Sequence, residues 1–95
     1  MNIKFIISFE VNNNDLSKFE EILNSVKSEL PKVNGCLGVS IYKSSASLNE
    51  FTLVETWKTK EDHEKHVDHL VKEGSWETIS KLLLSSPKSD YFTEV

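Results

Sequence analysis

Cysteine is nearly absent, with Cys36 the only one in 95 residues. An intrachain disulfide is therefore impossible, a sulfur-rich metal site cannot be built within one chain, and a reducing cytoplasm is the expected compartment. Long hydrophobic runs are missing too. The apolar stretch of residues 3–11 is too short to span a bilayer, alternates with polar residues and is followed by no small-residue cleavage site. It is expected to be a strand, and no membrane partner is expected. Clustered positive charge is also lacking: Lys plus Arg number 11 against 15 Asp plus Glu, a net charge of −4 spread along the chain. A nucleic-acid binder needs grouped cations to neutralise phosphates, so that class is set aside. Two prolines and three glycines, with no repeat or low-complexity segment, provide no linker, and one domain is expected over residues 1–95.

What is present is 38% apolar and 27% charged residues, a balance that suits a globular fold. A chain this short builds one modest core, so a large pocket would compete with packing and a partner subunit would relieve the shortage. Ile3, Phe5, Ile7, Phe9 and Val11 alternate with residues that include Lys4, Ser8 and Glu10, the period of a strand with one apolar face. Asn12 to Asn14 favour a turn, Asn14 or Asp15 suits a helix cap, and Leu16, Phe19, Ile22, Leu23, Val26 and Leu30 recur at helical spacing up to Pro31.

After the Asn34-Gly35 turn, Leu37, Val39 and Ile41 alternate with Gly38, Ser40 and Tyr42 as a second strand. Lys43 to Asn49 is a polar connection. Phe51 to Trp57 gives a third strand, with Leu53, Glu55 and Trp57 on one side. Thr59 is a helix cap, and Val67, Leu70, Val71 and Gly74 form the apolar stripe of the next helix, with His63 in its middle, His66 at its edge and His69 turned away. Ser75 is placed to cap a short helix that buries Trp76, Ile79, Leu82 and Leu83, and Tyr91 to Val95 reads as a last strand. The order βαββαβ predicts an α+β, ferredoxin-like four-stranded antiparallel sheet with helices on one face. Its other face keeps Ile6 and Val54, and a homodimer is expected to cover them.

The chemistry gathers between Glu50 and Leu70, where a carboxylate, an indole and an imidazole from a helix with three histidines are expected to meet at one strand-to-helix corner. His63, His66 and His69 spread over ~120° of helix, whereas two helical histidines that share a metal usually stand four apart, so no metal site is expected. Cys36 reads as a small buried apolar residue, and Tyr42 and Tyr91 as ordinary strand tyrosines.

Asn34-Gly35-Cys36-Leu37, then Phe51, then Glu55-x-Trp57, then His66 nine residues after the tryptophan, together resemble the antibiotic biosynthesis monooxygenase family over nearly the whole chain. The resemblance implies a dimeric α+β barrel, with a pocket between each sheet and its helices. It also implies oxygenation of phenolic or anthrone-like aromatics by O₂ without metal, flavin or other cofactor. Such chemistry needs an apolar cavity, a group that removes a phenolic proton, and exclusion of water. The resemblance implies that Trp57 walls the pocket and that Glu55 and His66 border it. His66 and Glu55 are therefore the expected catalytic pair, with Glu55 orienting His66, and Trp57, Leu53, Phe51, His63 and Trp76 are the expected substrate contacts.

The chain also departs from the family. Leu53 stands where the polyketide oxygenases carry asparagine, and Asp62-His63 where many members carry a small apolar pair. Haem-degrading relatives have a first-strand asparagine and a later iron-binding histidine, where this chain has Ser8 and a position close to Glu77. Haem cleavage is thus disfavoured, and no cluster of basic residues is present for a sugar phosphate. A non-enzymatic dimer that binds a small hydrophobic molecule is the alternative reading.

Overall fold

The computed structural model describes residues 2–95. Its elements are β1 (Ile3–Glu10), α1 (Leu16–Glu29), β2 (Cys36–Lys43), β3 (Glu50–Trp57), α2 (Lys60–Lys72), α3 (Ser75–Ser80) and β4 (Lys88–Phe92), with short 3-10 turns at Asn13–Asp15 and Leu30–Lys32. The four strands form one antiparallel sheet in the order β2-β3-β1-β4. This is the α+β ferredoxin-like arrangement that the alternation of periods predicts.

Period-two patterning sorts the sheet's two faces. Ile7, Phe9, Phe51 and Leu53 turn inward and pack on Phe19 and Leu23 of α1. A second cluster of Leu30, Cys36 and Trp57 fills the other end of the sheet. Trp57 and Val11 are fully buried, which removes the most costly apolar surfaces from water. On the outer face Ile6 lies opposite Val54. Lys4 Nζ donates to Thr56 Oγ1 at 2.7 Å, and the Ser8 and Thr52 hydroxyls bond at 2.8 Å.

Local chemistry corrects several expected details. Asp15 takes the cap position of α1 but its side chain makes no capping bond; Asn12 caps the 3-10 turn before it, its extended backbone letting Oδ1 accept from the Asn14 amide at 3.1 Å. Leu37 does not share the inward face of Val39 and Ile41, because the register jumps from Cys36↔Trp57 to Gly38↔Thr56. The bulge turns Leu37 outward, 48% exposed, and places Cys36 inside instead. Val67 and Val71, expected on the buried stripe of α2, are exposed, because that helix lies against the sheet through His63 instead. Gly74, with φ +86°, ends α2 and directly precedes α3, while the Ser75 hydroxyl bonds Glu73 rather than capping. The last strand lies at Lys88–Phe92 rather than 91–95, since its partner positions on β1 run from Lys4 to Ser8.

Candidate functional site

Strand alternation brings Leu53, Glu55 and Trp57 to the face beneath the helices. Two residues after Trp57, the Thr59 side chain accepts from the Asp62 amide at 3.1 Å and fixes where α2 starts. That start puts His63 on the side of α2 that meets Glu55 and Trp57. His66, one turn on, lies over the indole, with ring centroids 5.4 Å apart.

Glu55 is buried, 7% exposed, and its Oε1 accepts the Trp57 indole N–H at 2.9 Å. His63 Nε2 lies 3.8 Å from the same oxygen. The other ring nitrogen, Nδ1, is 2.7 Å from the Tyr91 hydroxyl. Phe5 stacks on His63 at 3.9 Å between centroids, and the Trp57 ring meets it edge-on at 5.3 Å. An imidazole walled by aromatics on this scale loses hydration that its cation would need.

The electrostatics follow from that enclosure. Burial, reinforced by the neighbouring His66, pushes His63 down to about 4. His63 is therefore neutral at neutral pH, and its approach to Glu55 is not an ion pair. Burial raises the Glu55 carboxyl above its ordinary range, opposed by the indole hydrogen bond. His66 is lowered by burial and then by His69, with Glu73 pulling the other way. Burial also raises Tyr91, which keeps its phenolic proton at neutral pH.

A cleft of about 1270 Å³ opens between α1, α2 and the inner sheet face. Phe5, Ile7 and Leu53 supply its floor, Ile22 and Val26 one wall, and Leu70, Trp76 and Ile79 the other. Glu55, His63 and His66 are the titratable groups at its inner end, while Glu29, Lys65 and Glu73 stand along α1 and α2.

Of the residues expected at the site, Glu55, His63, His66, Leu53 and Trp76 line this cleft. Trp57 does not reach it: the indole is fully buried and forms a layer behind His63 and His66. Phe51 is also outside it, packed on Phe19 with centroids 5.4 Å apart. The carboxylate meets His63 rather than His66, because His63 faces straight down from α2 onto β3. His69, further along α2, stands at the cleft's exposed rim and pairs with Glu73 at 3.1 Å. The three histidines thus diverge, and among the described residues no group of three or more His, Cys, Asp or Glu is placed to hold a metal. Sequence reasoning missed Tyr91 and Phe5 as partners of His63. Their signal was the inward parity of Phe5 and its register with Tyr91 across β1 and β4.

The family described as antibiotic biosynthesis monooxygenase matches over residues 2–70. No curated protein matches the chain. Among solved structures, a conserved protein from Methanosarcina mazei Go1 superposes with a TM-score of 0.88 at 17% identity, over 100% of this chain and 94% of that one. Rv0793 from Mycobacterium tuberculosis gives 0.86 at 15% identity, over 100% and 96%. SnoaB, a cofactor-independent oxygenase from Streptomyces nogalater, gives 0.82 at 12% identity, over 98% and 92%. Identities this low speak for the fold alone. The sequence match covers well over half of the chain, and on that ground the chain belongs to the antibiotic biosynthesis monooxygenase family.

Proposed function

We propose that this chain is a small cofactor-independent monooxygenase that oxidises a quinol, phenol or related aromatic with O₂, acting as a homodimer in the cytoplasm. The observation that carries the reading is an apolar cleft that ends at a neutral, half-buried imidazole, His66, stacked over the buried indole. His66 makes no side-chain hydrogen bond among the described residues, so a ring nitrogen is available to a ligand.

A hydroxylated aromatic on the Phe5, Ile7 and Leu53 floor would give its phenolic proton to His66, which is unprotonated at neutral pH. The phenolate, held away from water, is electron-rich enough to reduce O₂ and form a carbon–oxygen bond. Loss of water from that adduct leaves a quinone. A phenol with a free ring C–H plus O₂ thus gives quinone plus H₂O, with all electrons drawn from the substrate. The protein supplies an apolar enclosure, orientation and a base. SnoaB's description as a cofactor-independent oxygenase supports the same reading.

Oxygen uptake by metal-free, flavin-free protein over quinols and hydroxynaphthalenes tests it. His66→Ala is expected to lower turnover by about a hundredfold, the usual scale of a general base, and to leave the fold intact. Unchanged turnover in that variant would remove His66 from the mechanism. A second reading, a dimer that only binds a small hydrophobic molecule, is favoured by Leu53, which gives the cleft floor methyl groups where a polar contact would orient substrate. A compound that raises the melting temperature yet is recovered unchanged in air would select it.

A further inference from the structure

The mechanism above uses His66 and leaves unexplained why a second histidine is enclosed between Phe5, Trp57 and Tyr91 against a buried carboxylate. One N–H donates to Glu55 Oε1, the Trp57 indole at 2.9 Å, and His63 Nε2 faces the same oxygen at 3.8 Å, beyond hydrogen-bond length. The carboxylate's second oxygen makes no hydrogen bond among the described residues. No buried side-chain oxygen there lacks a partner, so Oε2 is reached from the cleft that Glu55 lines.

Which His63 nitrogen carries the proton decides how Glu55 is held. A neutral imidazole has one N–H. If it sat on Nδ1, a lone pair on Nε2 would face Oε1, which the indole bond already marks as an acceptor, and two acceptors would oppose each other. The Tyr91 hydroxyl, 2.7 Å from Nδ1, can instead donate there and leave the N–H on Nε2, aimed at Glu55. Tyr91 belongs to β4, beyond the residues 2–70 that carry the family match.

We propose that Tyr91 is a positioning residue: its hydroxyl fixes His63 as the Nε2–H tautomer, whose N–H dipole faces Glu55 Oε1 beside the indole bond of Trp57 and favours the carboxyl orientation that leaves Oε2 turned to the cleft to accept a hydrogen bond from a hydroxyl of the ligand. This rests on the reading of the cleft as an aromatic site. It adds a recognition element for the hydroxyl group and separates that role from His66, the base. The charged or titratable groups around the trio are His66, Glu64 and Lys60 on α2, with Lys60 Nζ 5.1 Å from the centre of the Tyr91 ring, and Cys36 on β2. Phe5, the β1 residue against His63, is apolar.

Imidazole ¹⁵N chemical shifts of His63 in wild type and Tyr91→Phe, with the affinities of 1-naphthol and 1-methoxynaphthalene for both proteins measured by tryptophan fluorescence, test the proposal. Wild type is expected to show the Nε2–H tautomer and to bind the naphthol roughly tenfold more tightly than its methyl ether, the scale of one hydrogen bond to a charged acceptor. In Tyr91→Phe the tautomer is expected to redistribute and most of that preference to disappear, with methoxynaphthalene affinity unchanged. A wild-type Nδ1–H tautomer, or a hydroxyl preference that survives Tyr91→Phe, would overturn the proposal. Neither readout requires turnover, so a protein that consumes no oxygen leaves this test intact.

Discussion

His63 and His66 stand one helical turn apart, and enclosure separates their chemistry. His63 is 3% exposed and committed to Tyr91, whereas His66 keeps an edge in the cleft. The lowered value of His63 has a thermodynamic consequence. Its folded value of about 4 lies below the ordinary 6.5 of the unfolded chain, so the unfolded state binds the proton first as pH falls. The stability concerned is fully present above pH 6.5 and is lost as the pH approaches 4, by at most about 3 kcal/mol. His66 acts in the same direction. Glu55 acts in the opposite one: its folded value is raised, so proton uptake favours the folded state as pH falls toward the ordinary carboxylate range. Thermal melts from pH 7.5 to 4.5 should therefore fall less steeply for His63→Asn than for wild type, and that difference isolates the histidine. The pairing of Glu55 with Trp57 was legible in the sequence because period two needs no tertiary information. The pairing of Glu55 with His63 was not, because it depends on how closely α2 settles on the sheet. Tyr91 required the register of β4, a contact 86 residues from Phe5 in sequence, and no local signal sets it.

The elements that carry the site are held by two glycines with nearly the same backbone conformation and different surroundings. Gly35 precedes β2 at φ +89°, and Gly74 ends α2 at φ +86°. A side chain at Gly74 would meet nothing within 4 Å, so Gly74→Ala carries only the left-handed penalty of about 1 kcal/mol. At Gly35 a Cβ would lie 2.5 Å from the Asp62 side chain, its own Cβ included. The obstruction is rooted at the backbone of α2's first turn and cannot swing aside. Gly35→Ala should therefore lower stability more than Gly74→Ala, by roughly 2 to 3 kcal/mol in denaturant melts, as α2 is displaced from β3. It should also weaken ligand binding in the cleft, since α2 carries His63 and His66. Strand and helix order, the Thr59 cap and the inward face of β3 were all readable from periodicity. The bulge that expels Leu37 was not, because an unbroken alternation predicts Leu37 inward and only the pairing with β3 reveals the extra residue.

At the scale of the whole molecule, the sheet divides labour between its faces. The inner face forms core and cleft, and the outer face centres on Ile6 opposite Val54, with Tyr42 and Phe92 exposed at 58% and 48%. Apolar groups set among Thr and Ser on an otherwise open sheet suit association with a like surface. Sedimentation is expected to give twice the chain mass, and Val54→Lys, which sets a charge at the centre of that face, should yield a folded monomer. A wild-type monomer at micromolar concentration would refute the homodimer. The order β2-β3-β1-β4 also fixes the timing of assembly. β1 lies inside the sheet and is synthesised before both its neighbours: β3 follows after some forty further residues and β4 later still. A nascent chain therefore holds β1 with two unsatisfied edges until β3 emerges, and with one until β4 is made. The hydroxyl that meets His63 arrives only with β4. Any ligand that needs it is bound only once β4 has paired, and a chain interrupted before residue 88 would instead offer the open edge of β1 as a template for aggregation.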